Sequence, residues 1–207
     1  MTSTYPINRE SDMKGVEMSK RFRVLDYKAE LGDGKWVDNV IGWGTKLLNF
    51  WDSKTWKLPA YSHSEIWIPD EQGRFVDDDG NYCGHTYSST MGQIRGSGGQ
   101  GMRKLPASKT LHNAGRWDYT EYEVSDAAYE RAVKMAEGAV LTNAGYGKRD
   151  IAKFIPGIRH LIPTDDRRYI CSEFVYSFLI YAGIFELPYK VISPLKLASL
   201  MERRSLV

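Results

Sequence analysis

The middle of the chain carries the alternation of polar and apolar residues that is typical of strands. In SHSEIWI, residues 62–68, Ile66 and Ile68 fall on one face, whereas His63 and Glu65 fall on the other. Three further segments are rich in β-branched and aromatic residues and are also predicted to be strands: 21–28, 82–90 and 116–124.

Apolar residues spaced three or four positions apart predict helices on both sides of these strands. The predicted helices lie at 36–51, 126–142, 171–183 and 194–202. Ser125 caps the second of them, and Ser193-Pro194 opens the last, with proline at its first position. The Gly-rich stretch 96–108 is predicted to be a loop. Strands in the middle of the chain with helices before and after them indicate an α+β domain.

The length and charge of the chain restrict its class. The 207 residues suit a single domain, taken as 21–207, behind a polar N-terminal arm at 1–20. A net charge of +2 does not favour a protein built around nucleic-acid binding. No apolar run approaches the roughly 18 residues that a membrane span needs. The N-terminus lacks the apolar region of a signal peptide, so we expect no secretory signal.

Cys171 lies where a nucleophilic cysteine would be expected. It opens a predicted helix, and the N–H groups at a helix N-terminus stabilise a thiolate. Arg167 and Arg168 lie just upstream of it. A nucleophilic cysteine also needs a base, and His63 is the one of four histidines in a well-defined predicted strand. The two residues together favour cysteine-dependent catalysis, against the alternative of an inert, buried thiol.

The sequence around these two residues resembles a known family. YSHSEIWIP, residues 61–69, resembles the histidine strand of the permuted NlpC-type papain-like amidases and peptidases, the YiiX-like group. YICSEFVYSFLIYAG, residues 169–183, resembles the cysteine helix of that family. The helix 36–51, the segment 143–151 and the ISPL motif at 192–195 are similar to its remaining elements, in the same order along the chain.

This resemblance implies a circularly permuted papain-like fold, in which an antiparallel sheet carrying the histidine packs against a helix carrying the cysteine. It implies a thiol-dependent hydrolase that cleaves an amide bond in a peptide or cell-wall peptide. Cys171 would form the acyl-enzyme, His63 would act as general base, and no metal or organic cofactor is required. Related domains occur in bacteria and tailed phages, so a cytoplasmic enzyme and a virion-associated cell-wall enzyme both fit.

The residue that orients His63 is less clear from the sequence. The family usually places a third polar residue, often Glu, on the next strand, where this chain has no acid. Ser88 aligns best with that position. Glu65 is the alternative, although it lies two residues along the strand from His63, about 7 Å by strand rise, so a contact would require a bend.

Three residues are candidates for contact with the substrate. Arg103 and Lys104 belong to the predicted loop, and their cations would bind an anionic group such as a wall-peptide carboxylate. Trp67 shares the strand face of His63.

Other functions remain open at this stage. A non-catalytic binding domain of the same fold, or a lipid or ester acyl hydrolase or transferase, would use the same fold or the same acyl chemistry. A zinc site is a further alternative, because two pairs spaced by two residues could supply four ligands: His63, Glu65, Cys83 and His85. The G-x-G-x-x-G match at 96–101 does not favour a nucleotide site, since Pro106 argues against the helix that must follow it.

Overall fold

The computed structural model describes residues 19–29, 58–90, 101–142, 144–146, 168–186, 192–201 and 204–205. Several predicted segments lie wholly or largely outside these ranges: the N-terminal arm, the helix 36–51, the first part of the Gly-rich loop and the segment 143–151.

The main structure is an antiparallel sheet of five strands. They are β1 Ser19–Lys28, β2 Tyr61–Ile68, β3 His85–Thr90, β4 Gly101–Pro106 and β5 Trp117–Ser125. A separate parallel pair comprises β6 Gly145–Tyr146 and β7 Arg168–Tyr169. The strand order in the sheet is β4-β3-β2-β1-β5, with β8 Arg204–Ser205 as a two-residue strand at the β5 edge.

The described helices are α1 Ala107–Thr110, α2 Asp126–Leu141, α3 Cys171–Tyr181 and α4 Pro194–Ser199, with a 3-10 turn at Leu111–Arg116. The starts of α2, α3 and α4 confirm the sequence prediction. Ser193 caps α4, because its Oγ accepts a hydrogen bond from Lys196 N at 3.1 Å. The α+β class is therefore confirmed. Within the described ranges, none of the helices has the length and apolar content that a membrane crossing requires.

The larger core lies between the sheet and helices α2 and α3. Apolar side chains from one face of β1 and β2 pack there against the helices, among them Phe22, Val24, Ile66, Phe174 and Phe178. The rings of Phe22 and Phe178 meet edge to face at 5.0 Å between centroids. Alternation along β2 places His63 and Glu65 on the opposite face, next to a second, smaller cluster that includes Leu25, Trp67 and Trp117.

Several predicted boundaries are wrong. The last helix, predicted to run to residue 202, ends at Ser199. The strand predicted from residue 82 begins at His85, because Gly84 before it has φ of +75° and breaks the extended conformation. The loop predicted over 96–108 is strand β4 from Gly101 and helix α1 from Ala107. Pairing with β3 stabilises β4, and this long-range contact leaves little signal in the local sequence. The last two residues of the predicted N-terminal arm already belong to β1.

Candidate active site

Strand β2 contains an irregularity just before His63. Tyr27 pairs with His63, but the next residue of β1 pairs with Tyr61, so Ser62 is the extra residue of a bulge. Bulges bend a strand and redirect the adjacent side chains. His63 Nε2 lies 3.0 Å from Glu65 Oε1, so the two side chains make the contact that strand rise alone left in doubt.

Glu65 belongs to a polar row that crosses three strands. The register pairs Ile66 of β2 with Tyr87 of β3, which brings the preceding Glu65 toward Ser88, and Ser88 pairs with Arg103 of β4. Arg103 Nη2 donates to Glu65 Oε1 at 2.5 Å, and its Nε donates to Ser88 Oγ at 2.9 Å. Ser88, predicted to orient His63, thus binds Arg103 instead, and the carboxylate that contacts His63 is that of Glu65.

The Glu65 carboxylate is fully buried and ionised. Burial opposes its ionisation, but the positive charge of Arg103 and the hydrogen bond from His63 outweigh this effect. Together they lower the pKa of Glu65 from 4.5 to about 2. The Glu65 carboxylate therefore presents a negative charge to His63 throughout the neutral pH range.

Cys171 lies at the first position of helix α3 and is 3% exposed. Two hydrogen bonds fix this end of the helix: Ile170 N donates to Glu173 Oε2 at 3.2 Å, and the buried Ser172 Oγ donates to the Ile192 carbonyl. The second bond ties the helix start to the segment before α4. The sequence gives no signal for it, because Ile192 is distant along the chain.

The structure places the Cys171 sulfur near the His63 imidazole, close enough to influence its protonation. Burial by itself would lower the pKa of His63. The charge of the Cys171 sulfur, the hydrogen bond with it and the contacts with Glu65 act in the opposite direction, and they raise the pKa of His63 from 6.5 to about 10. The imidazole therefore lies between two groups that stabilise its protonated form.

The structure places two of the three predicted substrate contacts away from the polar row. Trp67 is fully buried, its Nε1 donates to the Cys83 carbonyl at 2.8 Å, and its ring packs on Phe75, so it is a core residue. Lys104 pairs with Tyr87 in the register and lies on the face opposite Glu65. Its Nζ binds Glu137 Oε1 at 2.7 Å.

The third predicted substrate contact, Arg103, lies on the same face of the sheet as Glu65. Two of its nitrogens bind Glu65 and Ser88, which gives it a role inside the polar row that the sequence reading missed. The alternation of faces along each strand predicts this role only when the register of β2, β3 and β4 is also known.

The four residues of the zinc alternative do not come together. His85 pairs with Ile68, five residues along β2 from His63 and on its other face. Cys83 lies outside the strand and its Sγ contacts the Asn81 carbonyl at 3.6 Å. Across the described residues, no group of three or more His, Cys, Asp and Glu side chains has the geometry to hold a metal ion. The register thus overturns this alternative.

The chain was compared with protein-family models, curated proteins and solved structures, and none of the three comparisons yields a match.

Proposed function

We propose that the protein is a cysteine hydrolase of the permuted papain-like type, with Cys171 as nucleophile and His63 as general base. One observation carries this proposal. Cys171, at the start of helix α3, contacts His63, whose Nε2 is in turn held by Glu65. A nucleophile, a base and an orienting carboxylate in one chain of contacts is the arrangement that activates a thiol. The resemblance to the NlpC-type amidases points the same way.

The contact with Glu65 assigns the two ring nitrogens of His63. An ionised carboxylate only accepts hydrogen bonds, so Nε2 carries the proton that faces Glu65. Nδ1 is then the nitrogen that exchanges a proton with the Cys171 sulfur. The raised pKa of His63 favours a protonated imidazole at neutral pH.

The reaction follows from this pair. The Cys171 thiolate attacks the carbonyl carbon, and the C–N bond breaks as His63 gives its Nδ1 proton to the leaving amine. Water then attacks the thioester and gives a proton to His63, the C–S bond breaks to regenerate the Cys171 thiolate, and the carboxylic acid product leaves. The backbone N–H groups of the first turn of α3 precede the helical ladder, which begins with Phe174 N donating to Ile170 O, and they stabilise the developing oxyanion.

The proposed substrate is an amide in a peptide or a cell-wall peptide. An ester or thioester would pass through the same acyl-enzyme, so a lipid or ester acyl hydrolase or transferase is the second class to test.

A screen of amide and ester substrates on the wild type and three purified variants tests the proposal. Cys171→Ala should abolish turnover, and His63→Ala should lower it by roughly 10²–10⁴-fold, the usual contribution of a general base. Cys83→Ala removes the other cysteine and should leave turnover unchanged, and the wild type sets the reference. Mass spectrometry should detect an acyl group on Cys171 alone. Substrate binding without turnover by the wild type would instead indicate a binding domain.

A further inference from the structure

Arg103 supplies a charge to the candidate site that the proposed mechanism does not yet use. It lies on β4, two strands away from Glu65 on β2, and so reaches across roughly 10 Å of sheet. Its side chain is 24% exposed, whereas Glu65 is fully buried. A long cationic side chain that ends on a buried carboxylate beside the catalytic base requires a physical explanation.

The small size of Ser88 permits this reach. Ser88 lies on the strand between the two residues, on the same face, and its hydroxyl accepts the Arg103 Nε proton. A larger side chain at this position would occupy the space over which the guanidinium passes. Ser88 and Arg103 therefore act together, and Arg103 Nη2 is held at Glu65 Oε1.

Arg103 supplies Glu65 with a positive charge that does not depend on the protonation state of His63. If an imidazolium were the only partner of a buried carboxylate, the carboxylate would lose its compensating positive charge whenever the base gave up its proton during catalysis. Glu65 would then be free to take a proton itself. Arginine stays charged in proteins, so it keeps Glu65 ionised in both protonation states of His63.

We propose that Arg103 is a positioning residue, which keeps the Glu65 carboxylate ionised and aimed at His63 Nε2 while Ser88 holds the guanidinium in place. This inference rests on the proposed function for its role in turnover, but the effect on Glu65 is independent of any substrate. The neighbours of Glu65 in the row are uncharged, Leu25 on β1 and Ser88 on β3. Among the described residues, the charged and titratable groups that act on Glu65 are Arg103 on β4 and His63 on its own strand, with Cys171 of α3 acting through His63.

The direct test is the titration of the Glu65 carboxyl carbon by NMR on glutamate-labelled protein, with the signal assigned by its loss in Glu65→Gln. In Arg103→Met, the midpoint should move upward by roughly 1–3 pH units, the usual effect of an arginine beside a carboxylate. Arg103→Lys keeps the charge and should recover most of that change. Ser88→Ala removes only the hydroxyl and should raise the Glu65 midpoint by a smaller amount. This variant also tests the proposal if Arg103→Met does not fold.

The matched control is Lys104→Met. It removes an ion pair from the adjacent position of the same strand, on the opposite face of the sheet, and should leave the Glu65 midpoint unchanged. A Glu65 midpoint that is the same in Arg103→Met, Ser88→Ala and wild type would overturn the proposal.

The consequence for the site is measured by the alkylation of Cys171 against pH. The acid limb of this profile should move to higher pH in Arg103→Met, because a protonated Glu65 no longer supports the imidazolium. In a Glu65→Gln background, Arg103→Met should produce no further movement of the limb, and an equal movement in both backgrounds would contradict the inference. If the Glu65 midpoint responds to Arg103 while Cys171→Ala still hydrolyses substrate, the positioning effect stands and the nucleophile assignment fails.

Discussion

His63 and Glu65 lie two positions apart on one strand, and their contact decides how the candidate site works. The sequence predicts that both residues share a face, and it also predicts the Cys171 helix. It does not predict the contact itself, because strand rise separates the two Cα atoms and only the side chains, next to the bulge at Ser62, close the gap to 3.0 Å. The role of Arg103 is harder to predict from the sequence, because it depends on the register of three strands.

The two cysteines should differ in reactivity, in the order opposite to their exposure. Cys83 is partly exposed, whereas Cys171 is buried but contacts His63. We expect iodoacetamide to label Cys171 faster than Cys83 at pH 7, because a position at a helix N-terminus beside a histidine is typical of reactive cysteines. Peptide mapping by mass spectrometry at timed intervals measures both rates.

The control for this labelling experiment is His63→Ala. It should remove the excess reactivity of Cys171 and leave the rate at Cys83 unchanged. Equal rates at the two cysteines in the wild type would count against Cys171 as the nucleophile.

The buried Glu65 should make the protein sensitive to acid over a defined range. Its pKa is about 2 in the folded protein against 4.5 for the free side chain, so the unfolded state binds the proton first as the pH falls. Glu65 thus contributes stability that is fully present above pH 4.5 and is lost as the pH falls through 2. The loss is roughly 3 kcal/mol in the free energy of unfolding, at 1.36 kcal/mol per pKa unit.

Urea denaturation of wild type and Glu65→Gln at several pH values between 2 and 7 measures this contribution. The variant should lose less unfolding free energy than the wild type between pH 4.5 and 2, because glutamine does not titrate. Parallel curves for the two proteins would show that Glu65 is not held ionised by its neighbours.

At the scale of elements, the sequence predicts the segments whose periodicity is local and misses those that depend on a partner. The apolar face of α3 and the Ser193 cap of α4 are encoded within each helix, and α2, α3 and α4 begin where they were expected. Ser125 occupies the N-cap position of α2, but its side chain makes no capping hydrogen bond. Strand β4 carries Gly, Lys and Pro, which have low strand propensity, and it forms because it pairs with the edge of β3.

Gly84, where β3 was predicted to extend too far, sets the geometry of the connection from β2 to β3. Its φ is +75°, and a Cβ at this position would lie 2.1 Å from the Ile68 carbonyl oxygen. Gly84→Ala should therefore lower the free energy of unfolding in two ways: by about 1–2 kcal/mol for the left-handed conformation, and by roughly 1–3 kcal/mol more for the overlap with backbone atoms.

Gly80→Ala is the matched control for Gly84→Ala. Gly80 has a similar φ of +83°, but its added Cβ would meet nothing within 4 Å. Urea denaturation should show only the conformational cost for Gly80→Ala and the larger loss for Gly84→Ala. Equal losses would mean that the contact with β2 has no part in holding this connection.

At the scale of the whole molecule, the candidate site exists only when the sheet and helix α3 are docked. His63 belongs to the sheet and Cys171 to a helix from the C-terminal half of the chain, so neither element forms the site alone. The larger core joins them, and Phe178, two turns along the helix from Cys171, is fully buried within it against Phe22.

Phe178→Ala should therefore destabilise the site by lowering the stability of the whole fold, although Phe178 is not itself a residue of the site. Truncation of a buried phenylalanine costs about 3–5 kcal/mol of unfolding free energy. The enhanced labelling of Cys171 should disappear at a lower urea concentration in the variant, and at the same concentration as the loss of helical circular dichroism, because one cooperative transition removes both. Tyr181→Ala truncates an aromatic residue of the same helix that is 51% exposed, and it should leave both midpoints near those of the wild type. Enhanced labelling that persists beyond the dichroism transition would show that Cys171 is reactive in the unfolded chain, and its contact with His63 would then not be the source of its reactivity.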